Sequence, residues 1–275
     1  MSHPLSFARA LGLGLALAGG VSATAARAAE RKVFVGCPIL RNTALPCWMG
    51  KDGDQLYYLG PQGDLQAEFY PPQFQHRMLV EGEVAETPKI CGGVVLKNVT
   101  ASVLPEVDES CNVTLPAEGY PDPPAHRGPG PSGVRGGKEP EERPRRPVAE
   151  TLKPPFAPTD FVATFDADSD RKWRSASQEI SAAARFAQAS NAARVEVSGY
   201  RAAIRLSNGR DFVENEAIAE ARARTAEEAL RVLGLPATTK LTVNWARKLT
   251  PSTGTSADAA ARKVVIRVTP GTPPN

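Results

Sequence analysis

VEVSGYRAAIRLSNGRDFVENEAIAEARARTAEEALRVLGL, Val195 to Leu235, holds the pattern on which the fold turns. Its first residues alternate, with Val195 and Val197 on one face, as a half-buried strand does. Gly199 closes that strand and sends Tyr200 and Arg201 to its rim. From Asn215 to Leu235 the period becomes helical and stops at Gly234 and Pro236, the residues that end helices. A strand that gives way to a long amphipathic helix implies a sheet with helices laid on it.

Working outward, the flanking segments extend the same alternation. FVATFDA places Phe161, Ala163 and Phe165 on one side of a strand, and a helix follows in which Trp173, Ala176, Ile180, Ala183 and Ala187 recur at helical spacing. Leu241, Val243 and Trp245 mark another strand, and Val264, Ile266 and Val268 the last. Residues 159–275 are therefore expected to form an α+β domain of order β-α-β-α-β-β, its sheet covered on one face by two helices.

On the second helix Ile218, Ala221, Thr225, Ala229 and Leu233 are the expected buried stripe. Glu220, Arg224, Glu227, Glu228 and Arg231 form a solvated lattice of i,i+4 charges. Arg222 breaks this division, because its spacing from Ile218 and Ala229 leans its stem toward the sheet. A guanidinium there must reach a wet rim, an internal carboxylate or a bound anion, since it keeps its charge.

Three motifs carry a resemblance. Gly199-Tyr200-Arg201-Ala202 follows the second strand, Asn215-Glu216-Ala217-Ile218-Ala219-Glu220-Ala221-Arg222-Ala223 opens the second helix, and Ala261-Arg262-Lys263-Val264 leads into the last strand. In this order they resemble the OmpA-like peptidoglycan-binding domain, with Gly-His-Thr-Asp, Asn-x-x-Leu-Ser-x-x-Arg-Ala and Asn-Arg-Arg-Val at the corresponding places. The resemblance spans Phe161 to Val268. It implies a non-catalytic module for diaminopimelate-type peptide stems, in which an arginine and main-chain donors hold the ligand's carboxylate and an aspartate takes its ammonium group. Carried over, it makes Arg222, Asn215, Gly199, Tyr200, Arg201 and Arg262 the candidate ligand-binding residues, with peptidoglycan as the partner. The aspartate has no counterpart: Ala202 stands in its place, and Asp211 in the connecting loop is a candidate replacement. The alternative is an interaction module that keeps the fold and uses Arg201, Arg205 and Arg210 on an acidic envelope protein.

The rest of the chain sets the compartment. MSHPLSFAR, the short apolar run ALGLGLALAGGV and the small-x-small end Ala26-Arg27-Ala28 read as a signal peptide over residues 1–28. The apolar core is too short to span a bilayer, and no later run is long enough. Glu30, Arg31 and Lys32 separate Cys37 from that core, which argues against a lipid-modified cysteine. Export together with the resemblance implies the periplasm of a Gram-negative envelope, near the cell wall or outer membrane, as the expected location.

In an oxidising compartment Cys37, Cys47, Cys91 and Cys111 read as two disulfides, since no C-x-x-C pair offers a zinc site. Three pairings are open, and Cys37–Cys47 with Cys91–Cys111 is the simplest. They belong to a small β domain over 29–118, a five- or six-stranded barrel or sandwich built from KVFVGC, CWMG, QLYYL, HRMLVEGEVA, CGGVVLKNV and TASVLP. KDGD marks a hairpin within it.

Residues 119–158 hold eleven of the 25 prolines and few large apolar side chains, so they are expected to be a disordered linker that lets the two domains move independently. A net charge of +3 with no Lys/Arg-rich run interleaved with aromatics argues against nucleic acid. No nucleophile elbow, zincin motif or phosphate loop is present, so neither catalytic residues, a metal nor a cofactor is expected.

Overall fold

A computed structural model describes residues 30–62, 72–117, 119–121, 123, 152–171, 174–255 and 257–271. Residues 1–28, read above as a signal peptide, most of the segment read as a linker, and Trp173 lie outside the described residues.

The N-terminal domain is one curled sheet of seven strands. These are β1 (Arg31–Gly36), β2 (Pro38–Asn42), β3 (Cys47–Asp52), β4 (Gln55–Pro61), β5 (His76–Val84), β6 (Val94–Val107) and β7 (Val113–Pro116), in the spatial order β1-β5-β6-β4-β3-β2-β7. The sheet has more strands than the sequence pattern suggests. PILRN and VTLP are added, and two expected strands fuse into β6. β3 and β4 form the KDGD hairpin, with Gly53 at φ +57° where a side chain is disfavoured. Register shifts in the β5–β6 and β3–β4 pairs bend the strands, and the sheet curls around Phe34, Trp48, Tyr57, Met78, Val80 and Leu96.

The pairing of the cysteines follows from two parallel ladders. β7 runs beside β2, which brings Cys111 to Cys37. β6 runs beside β4, next to β3, which brings Cys91 to Cys47. The disulfides are therefore Cys37–Cys111 and Cys47–Cys91, nested across separations of 74 and 44 residues. The sequence-neighbour pairing Cys37–Cys47 with Cys91–Cys111 is overturned, because strand pairing and not chain proximity decides which thiols meet.

The C-terminal domain comprises β8 (Thr159–Thr164), α1 (Arg174–Ala189), β9 (Arg194–Gly199), β10 (Ala203–Arg205), β11 (Asp211–Val213), α2 (Ile218–Val232), β12 (Lys240–Trp245), α3 (Ala257–Ala261) and β13 (Lys263–Thr269). Its main sheet has the order β12-β9-β13-β8, with β9 and β12 parallel and the other pairs antiparallel. The β-α-β-α-β-β order is the expected one, with α1 and α2 packed on one face. Val195, Val197, Val264, Ile266 and Val268 meet Ile180, Ala183, Ala187, Ala226 and Leu230 in a single core. The α1 stripe Ala176, Ile180, Ala183 and Ala187 is buried as its spacing predicts.

Besides the added short helix α3, two features differ from expectation. The loop between β9 and α2 holds a short hairpin, β10–β11, turned at Gly209 with φ +82°. The buried side of α2 is also rotated: it consists of Ile218, Ala219, Arg222, Ala223, Ala226, Ala229 and Leu230, whereas Leu233 is 42% exposed. Alanines at many positions of this helix fit either stripe, so periodicity alone does not choose the face.

The two domains touch. Val33, Leu79 and Leu104 of the β domain form one apolar cluster with Ala167 and Ile204, and Leu206 and Phe212 pack against it. The independent motion expected from the linker is thus replaced by a shared, buried joint.

Candidate functional site

Arg222 is the centre of the site, and it is fully buried. Its position on α2 points it at the ends of β8 and β9, where the chain leaves the sheet and carbonyls lack ladder partners. Nε donates to Ser169 O at 2.9 Å, Nη1 to Tyr200 O at 3.0 Å and Nη2 to Asp166 O at 2.8 Å. The two terminal nitrogens also grip the carboxylate of Glu214, Nη1 to Oε2 at 3.1 Å and Nη2 to Oε1 at 2.6 Å. This is a bidentate fork, and both side chains are at 0% exposure.

Glu214 is held by more than its arginine. The backbone N–H of Asp168 donates to Oε1 at 2.9 Å and that of Ala202 to Oε2 at 2.7 Å. A buried carboxylate thus sits in a nest of one guanidinium and two main-chain donors, with its lone pairs satisfied. Of the possibilities open to Arg222, the internal salt bridge is the one realised.

Neighbouring carboxylates feel the burial. Desolvation pushes Asp166 above the ordinary aspartate range, against the pull of Arg262 and Arg222. Asp168 is raised by desolvation as well, against the hydrogen bond that its Oδ1 accepts from Asn215 N at 2.7 Å.

The other candidate residues have specific tasks. Gly199 is a packing residue: a Cβ there would stand 2.0 Å from Ala219 O, so only glycine lets α2 approach β9 this closely. Tyr200 gives its carbonyl to Arg222, while its side chain lines a shallow polar hollow with Asp160, Glu196, Ser198, Asn244 and Arg267. Asn215 is exposed and its Oδ1 accepts Ala217 N at 2.9 Å, shaping the entry into α2. Arg262 lies outside the nest, paired with Glu81 of the β domain at 2.7 Å.

Two of the three arginines assigned to an acidic partner are engaged within the chain, while Arg210 is exposed. Arg201 donates to Glu214 O at 3.0 Å and pairs with Glu216. Arg205 pairs with Asp211 across the β10–β11 hairpin. Asp211 is therefore committed to Arg205 and does not replace the carboxylate absent at Ala202. The residue of this nest that sequence reading passes over is Glu214, three positions after Asp211. No local signal marks it, since its partners lie 8, 12 and 46 residues away.

Among the described residues, no group of three or more His, Cys, Asp or Glu side chains is arranged to hold a metal ion. No helix among them is long and apolar enough to cross a membrane.

Two solved structures are similar to part of the chain. The OmpA-like domain of FopA1 from Francisella tularensis subsp. tularensis SCHU S4 has 18% identity and a TM-score of 0.30, covering 42% of this chain and 77% of that one. A putative MotB-like protein from Desulfovibrio vulgaris has 13% identity and a TM-score of 0.33, with the same coverage. These likenesses say nothing of what the nest binds. No protein-family model and no curated protein matches the chain.

Proposed function

We propose that this chain is a non-catalytic protein of a Gram-negative cell envelope, exported to the periplasm, whose OmpA-like C-terminal domain is an interaction module at the cell wall. In this reading the stem pocket is closed: Glu214 takes the place that a diaminopimelate carboxylate would need. The observation that carries it is the Glu214 carboxylate, fully buried and gripped by Arg222 and two backbone N–H groups. A ligand carboxylate would have to displace an internal one that is covalently tethered and already desolvated, and so has little entropy left to lose. The lost aspartate at Ala202 supports the same reading, since no carboxylate stands there for the stem's ammonium group. Disulfides and the signal-peptide pattern support export.

The test is co-sedimentation of the purified oxidised protein with insoluble peptidoglycan sacculi, with and without free diaminopimelic acid. The expected result is no pelleting that diaminopimelic acid reverses. Wild-type pelleting released by diaminopimelic acid, and weakened in a folded Arg222→Lys variant, would overturn the closed pocket. It would establish wall tethering through Arg222 instead.

A further inference from the structure

We infer that the N-terminal β domain is the built-in partner of the C-terminal domain, and that its docking on the loop from Asp166 to Ser169 holds the Glu214–Arg222 nest shut. The inference deepens the reading of the nest as closed and rests on it. Four successive residues carry the argument, because they face the nest and the β domain in turn. Asp166 gives its carbonyl to Arg222, and Asp168 gives its N–H to Glu214. Ser169 gives its carbonyl to Arg222. Between them Ala167 turns the other way: its N–H donates to Ser102 Oγ at 2.9 Å, and its side chain is buried with Val33, Leu79 and Leu104. The interface and the nest therefore share one short piece of backbone, and its position serves both.

Two further contacts fasten the same joint. Arg262, 3% exposed and just ahead of β13, donates through Nη2 to Glu81 Oε2, while Arg31 donates to Oε1 of the same glutamate at 2.9 Å. The carbonyl of Arg262 accepts Phe165 N at 2.8 Å, which ties this ion pair to the start of the shared loop. Beyond it, Ser207 Oγ accepts Val33 N–H and Ser207 N–H donates to Val33 O, both at 2.8 Å. β1 is an edge strand of the seven-stranded sheet, so the segment after β10 covers a backbone edge that would otherwise be open.

Nε and Nη1 of Arg262 are buried and have no protein partner among the described residues, so the docked state does not use all the hydrogen bonds that this side chain offers. Opening would give those donors to water. It would release Ala167 from Ser102 and leave the nest loop anchored only from the C-terminal side. Coupling of this kind needs no long pathway, because the two sites share adjacent peptide groups.

The experiment is residue-resolved hydrogen exchange on the full oxidised chain, comparing wild type with Glu81→Gln and Ser102→Ala. Neither residue touches Glu214 or Arg222. The reporters are the N–H groups of Asp168, Ala202 and Asn215, which are bonded inside the nest. Loss of the ion pairs in Glu81→Gln, or of the acceptor for Ala167 N–H in Ser102→Ala, is expected to speed their exchange by about tenfold. Amides in the middle of β9 and α1 should keep their wild-type rates. Unchanged rates at the three reporters would overturn the inference. Uniform acceleration along the whole C-terminal domain would overturn it too, because the joint would then act on global stability alone. The sacculus assay does not decide this result, since wild-type wall binding leaves the exchange comparison unaffected.

Discussion

Replacing Glu214 with glutamine removes one negative charge from the buried nest and leaves its shape nearly intact. Arg222 keeps its three carbonyl acceptors but loses the only carboxylate that touches it among the described residues. Breaking one side of a buried ion pair costs about 3–5 kcal/mol, because the surviving charge stays desolvated. Asp166 lies close enough to Arg222 to offset part of that loss, which places the expectation at the lower end, about 3 kcal/mol. In a body of this size that corresponds to a fall in Tm of about 6–12 °C. Urea unfolding of the oxidised protein, followed by far-UV circular dichroism, measures the loss directly. A cycle with Arg222→Met then isolates the pair, and the double variant should lose at least about 2 kcal/mol less than the sum of the singles. A Glu214→Gln protein within about 1 kcal/mol of wild type, with no coupling to Arg222, would refute the reasoning that this pair closes the pocket.

Further outcomes follow from the same contacts. Asp166→Asn should raise Tm at neutral pH, because the folded protein holds this aspartate above its ordinary value of 3.8 by desolvation. The wild type loses that contribution as pH rises through the raised value, so the two melting curves should converge near pH 4 and separate above it. Gly199→Ala should cost about 3 kcal/mol in urea unfolding, the upper end for overpacking, since its methyl group would meet the Ala219 carbonyl. Non-reducing peptide mapping should find Cys37 joined to Cys111 and Cys47 to Cys91. Removing the second bridge as Cys47→Ala/Cys91→Ala should lower stability by about 2–4 kcal/mol.

Much of the C-terminal domain was legible because its elements are encoded locally. Alternation at Val195 and Val197, at Phe161 and Ala163, and at Val264 and Ile266 marks strands that each bury one face. The spacing of Ala176, Ile180, Ala183 and Ala187 does the same for α1. The face of α2 was less legible, since alanines supply no contrast in size. On the face that is buried, Arg222 reaches the carbonyls at the sheet ends.

By itself, then, the sequence determined the order of elements, an export pattern, the presence of two disulfides and an arginine leaning toward the sheet that must reach water or an anion. Each of these depends on residues close together in the chain or on composition. Tertiary structure decided which anion that is, which cysteines pair and where the β domain sits. Glu214 meets Arg222 only after the β9 end, the loop after β8 and α2 have converged, and Cys111 meets Cys37 only when β7 lies along β2. Such choices depend on contacts between residues distant in sequence, where no periodicity records the partner. That is why the chain announced a charged pocket while only the folded molecule filled it with its own carboxylate.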